Sequence, residues 1–72
     1  MSFQAYLDTV RTKTGKTPED LSASASDRGL LVDGQIADGV RATEITDWLK
    51  AEYGLGHGHA MAIYAWFKGK RA

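Results

Sequence analysis

Seventy-two residues with no cysteine make one domain, 1–72, near the lower size limit for folding unaided. They exclude a disulfide framework and a thiolate metal cage. Nine Lys and Arg balance nine Asp and Glu, so no global field draws the chain to nucleic acid or anionic lipid, although Lys68, Lys70 and Arg71 make the last turn locally basic.

The start, Met1-Ser2-Phe3-Gln4, lacks the basic n-region and apolar core of a secretory leader. The longest apolar run, Ala60 to Phe67, is far too short to span a bilayer, so we expect a cytoplasmic protein without membrane contact. Phe3, Tyr6, Leu7 and Val10 then fall at i, i+3, i+4 and i+7, which predicts a helix over about residues 3–14. Ser2 suits its N-cap and Gly15 its stop. Thr17-Pro18-Glu19-Asp20 opens a second helix: Thr17 as N-cap, Pro18 at the first helical position, Asp20 closing a capping box. Its body, LSASASDR, is weak, because serines compete for backbone hydrogen bonds and only Leu21 and Ala25 share an apolar stripe.

Residues 30–41, LLVDGQIADGVR, admit a hairpin turning at Asp33-Gly34. An isolated two-stranded ribbon is marginal, so we expect an irregular, ordered loop over about 30–42, anchored by Val32, Ile36 and Val40. Thr43 is the expected start of the third helix, with Ile45, Trp48 and Leu49 on its buried side and Gly54 at its end. Gly56 or Gly58 opens a fourth helix running to about Lys68. A helix that is apolar all round is a buried helix, so the sequence predicts an all-α, four-helix domain packed around this C-terminal helix. Tyr64 and Trp66 lie about 200° apart on it, so one aromatic should reach the surface, where it can anchor a partner.

Gly15-Lys16-Thr17 superficially suits a phosphate loop, but that loop needs a glycine where Val10 stands. His57 and His59 are too few for a zinc site with no cysteine and no other histidine, so we expect no metal and no cofactor. No Ser–His–Asp order or carboxylate pair suggests catalysis, and we expect no enzyme. A sharper pattern is Gly54-Leu55-Gly56-His57-Gly58-His59-Ala60-Met61-Ala62-Ile63, which resembles the second half of a helix–hairpin–helix motif. In such a motif, backbone N–H groups at a helix N-terminus face a nucleic-acid phosphate. The positions between the second glycine and the alanine carry no Lys or Arg here. The alternative is a tight helix–helix corner that uses glycine for close packing. The anion-site candidates are Lys50, Gly54, Leu55, Gly56, His57, Gly58, His59 and Lys68.

Three blocks carry a wider resemblance: Ser2-Phe3-Gln4-Ala5-Tyr6-Leu7, Thr14-Gly15-Lys16-Thr17-Pro18-Glu19-Asp20-Leu21, and Glu44-Ile45-Thr46-Asp47-Trp48-Leu49-Lys50 running into the glycine turn. Together they span most of the chain, which resembles the bacterial family catalogued as domain of unknown function forty-two eighty-seven. That resemblance implies a small bacterial cytoplasmic module and no assigned activity. The expected function is binding, to a protein partner or to a second copy, with weak phosphate or nucleic-acid contact at residues 54–59 as the alternative.

Overall fold

The computed structural model describes residues 2–71, leaving Met1 and Ala72 outside the account. Four helices and a hairpin follow in the order α1 (Phe3–Thr14), α2 (Pro18–Asp27), β1 (Leu31–Val32), β2 (Gln35–Ile36), α3 (Ala42–Tyr53) and α4 (His57–Phe67). The domain is therefore mostly helical without being strictly all-α. No described helix is long and apolar enough to cross a membrane.

Local chemistry sets most of these limits. The Ser2 hydroxyl accepts from the Ala5 N–H, and Gly15 closes α1 in the left-handed region with its N–H on the Arg11 carbonyl. Thr17 and Asp20 form a complete capping box: the Asp20 N–H donates to Thr17 Oγ1 at 3.1 Å, and the Thr17 N–H donates to Asp20 Oδ2 at 3.0 Å. Donation from the Thr17 backbone N–H, and then from the Thr17 hydroxyl, holds the Asp20 carboxyl below its ordinary value of 3.8. At the other end of α2 the Leu30 N–H reaches back to Ala25 O and the Gly29 N–H to Ser26 O. This Schellman closure turns the chain toward the hairpin.

The segment expected to be irregular over 30–42 is corrected here, because it contains a hairpin. Leu31 pairs with Ile36 and Val32 with Gln35 in antiparallel register. Asp33 (φ 54) and Gly34 (φ 77) supply the two left-handed residues that a tight turn of this hand requires. A two-stranded ribbon is marginal alone, but this one packs through β1 on α2. The anchoring residue also differs from expectation. Side chains alternate along a strand, so Leu31 faces inward (3 % exposed) and Val32 points to solvent (58 %), while Ile36 and Val40 are half-buried.

Helix α3 begins at Ala42, one residue before the predicted Thr43, because the Glu44 carboxylate accepts from the Arg41 N–H at 3.2 Å. Arg41 has no side-chain acceptor to complete a capping box. Helix α4 packs against α1, α2 and α3, burying Ala60, Ala62, Ile63 and Phe67. It is the centre of the packing, yet it is not enclosed. Met61 is 38 % exposed, and Tyr64, Ala65 and Trp66 are half-buried. Three short helices cannot surround a fourth, so one apolar face of α4 stays open.

Candidate functional site

The α3–α4 corner brings most of the glycine-turn candidates together. Gly54 ends α3 at φ 67, donating to the Lys50 carbonyl at 3.0 Å, and Lys50 itself is half-buried in the last turn of α3. Leu55 drops into the core, and Gly56 caps α4 in extended backbone, with its carbonyl accepting from Ala60 at 2.9 Å. Among the described residues, the N–H groups of residues 55–59 donate to no protein acceptor. The first turn of α4 contains no acid, so its positive dipole end is uncompensated.

The glycines of this turn have different roles. Gly54 occupies a backbone region that L side chains rarely adopt. Gly56 and Gly58 have ordinary φ values, and a Cβ at Gly58 would meet only Tyr6 Cε1 at 3.7 Å. Steric demand therefore accounts for one of the three glycines.

The two histidines diverge. His57 is exposed, whereas the His59 ring meets Tyr6 of α1 edge-on at 5.1 Å and 78°, and its Nε2 is buried without a partner. Among the described residues no three His, Asp or Glu side chains gather as a metal-binding group. Lys68 is not brought to the turn. It caps the opposite end of α4, about 16 Å away along the helix, with its Nζ 5.6 Å from the Tyr64 ring.

The basic tail folds back onto aromatic rings instead of projecting into solvent. Gly69 and Lys70 close α4 with a second Schellman pair, donating to Trp66 O and Ala65 O. Lys70 Nζ then sits 5.0 Å from the Phe3 ring. The Arg71 guanidinium lies 3.9 Å from the Trp66 ring and donates to Trp66 O at 2.8 Å. Thus, where the sequence predicts one surface aromatic, Tyr64 and Trp66 are both partly exposed, each beneath a cation of the chain itself.

A surface that shares only Gly58 with the candidate residues emerges between α1 and α4. Phe3 and Tyr6 form one wall, and Gly58, Met61, Ala62 and Ala65 the other, with Lys70 at one end of a groove of about 310 Å³. Phe3 and Tyr6 are the outer members of the α1 apolar stripe. Gly58, Ala62 and Ala65 follow helical spacing along the side of α4 that lines the groove, with Ala62 buried at its floor. That small-residue spacing within GLGHGHAMAIYAWF was the available signal, although it does not say which face the other helices leave uncovered.

A different seam joins α2 to α3. The Tyr53 hydroxyl donates to Ser24 Oγ at 3.0 Å, Arg28 pairs with Glu52 at 3.4 Å, and Trp48 meets Tyr53 edge-on. The serines that weaken α2 as a helix thus include one that fastens it to α3.

No curated protein and no solved structure matches this chain. One family model does, covering residues 2–69 and taking in all four helices, the hairpin, the glycine turn and both walls of the groove. With nearly the whole chain matched by that model, the chain belongs to the family described as Domain of unknown function (DUF4287).

Proposed function

We propose that this chain is a cytoplasmic protein-binding module without catalytic activity, and that the α1–α4 groove is its working face. The observation that carries this reading is the groove itself. Met61 lies 38 % exposed opposite an aromatic wall of Phe3 and Tyr6, with small residues beside it that let a partner approach closely. Its lining includes no carboxylate, and Lys70 and the N-terminal end of α4 favour a partner that combines apolar and acidic groups. A photoreactive amino acid at position 61 should give a discrete protein adduct in the cells that make the chain. The same probe at Ala23, exposed on α2, should not. Equal labelling from both positions, or none from position 61, would count against the reading.

A second reading is favoured by the free N–H groups of residues 55–59. Their grouping at a helix start supports weak contact with a phosphate, including that of a nucleic acid. Inorganic phosphate, and then a short duplex DNA at low salt, should shift the amide resonances of residues 55–59. Silence at those amides would remove this reading and leave the groove untouched.

A further inference from the structure

The described residues expose two large hydrophobic side chains, Met61 in the α1–α4 groove and Val32 on the hairpin. Their surroundings are opposite in charge. The groove is apolar, with Lys70 as its charged side chain and the positive end of α4 beside Gly58. The hairpin presents Val32 next to Asp33, with Asp38 lining the same shallow surface and no Lys or Arg among its neighbours there.

Asp33 is held at φ 54 in a two-residue turn, so Val32 and the carboxylate project from a narrow, preorganised tip. Groove and hairpin share no lining residue within one chain. A hairpin seated in the groove therefore comes from another molecule.

We propose that the partner for the groove is a second copy of this chain, whose Val32 packs against Met61 between Phe3 and Tyr6 while Asp33 faces Lys70 or the start of α4. The proposal rests on the groove being the binding face, and it names the occupant. Each copy offers one hairpin and one groove. A reciprocal exchange closes a dimer, and a one-way contact propagates a chain.

The test uses the whole protein labelled with ¹³C at its methionine methyl groups, held dilute while unlabelled chain is added. Unlabelled wild type should shift the Met61 methyl signal progressively. An unlabelled double variant, Val32→Ser with Asp33→Asn, should do so at roughly tenfold weaker apparent affinity or not at all. Both positions are exposed, and asparagine tolerates the left-handed backbone at position 33, so the variant keeps the fold. No shift with wild type up to millimolar concentration overturns self-association, and the position-61 adduct then decides the groove reading separately. An equal shift with both chains overturns the hairpin as occupant and leaves the groove as the face in use.

Discussion

Gly54 and Gly58 sit four residues apart in one turn, and the backbone treats them differently. Gly54 has φ 67, where a Cβ is strained whatever space surrounds it. Gly58 lies within α4, where the extra backbone freedom of glycine costs stability. Gly54→Ala should therefore destabilise the domain by about 1–2 kcal/mol. Gly58→Ala should leave it unharmed or more stable by about 0.5 kcal/mol. Urea denaturation of the two variants checks the pair, and a large loss from Gly58→Ala would contradict the geometry described for the turn. On the reading proposed above, a glycine that the fold does not require, beside free amides and in the wall of the groove, leaves room for a partner's close approach.

At the scale of elements, helix ends were the most legible part of the sequence. Ser2, Gly15, the Thr17–Asp20 box and Gly54 each mark a boundary through a local hydrogen bond or a left-handed residue, and such effects need no tertiary information. The capping box also carries a pH signature. The folded state lowers the Asp20 pKa, so the charged carboxylate contributes stability above about pH 4, and that contribution is lost as the pH falls through the folded value. The difference in Tm between wild type and Asp20→Asn should thus be largest above about pH 4 and shrink toward about pH 2. A difference that grows on acidification would reverse the sign and refute the assignment.

The hairpin was less legible, because strands of two residues leave no periodicity to count. Its existence depends on β1 packing against the preceding helix α2, a contact that no strand periodicity reports. The expectation of Val32 as an anchor differs from the structure, which buries Leu31 instead, for a related reason. A strand's inward parity is set by the surface it meets, and both residues are equally apolar. Charge alone groups Lys68 with the glycine turn, and the length of α4 separates them.

Across the whole molecule, α4 organises the packing, and the openness of one of its faces follows from the size of the chain. A domain of this length has a total stability of only about 4–11 kcal/mol. Ile63, fully buried on α4, is among the largest side chains of the core. Ile63→Ala should cost about 3 kcal/mol, read as a lower urea midpoint with little change in slope. An effect below about 1 kcal/mol would mean that α4 is not the packing centre.

The groove exists because α1, α2 and α3 cover α4 from fewer sides than its apolar sequence would fill. The sequence shows that α4 is apolar all round, but only the assembled helices reveal which side is left free. The most direct test of that face as the binding surface is shift mapping of uniformly ¹⁵N,¹³C-labelled protein in a concentrated extract of its own cells. Signals of Phe3, Tyr6, Met61 and Ala65 should broaden or move, while those of Ser24, Arg28 and Glu52 on the α2–α3 seam stay fixed. Changes centred on that seam, with the groove residues undisturbed, would contradict the account.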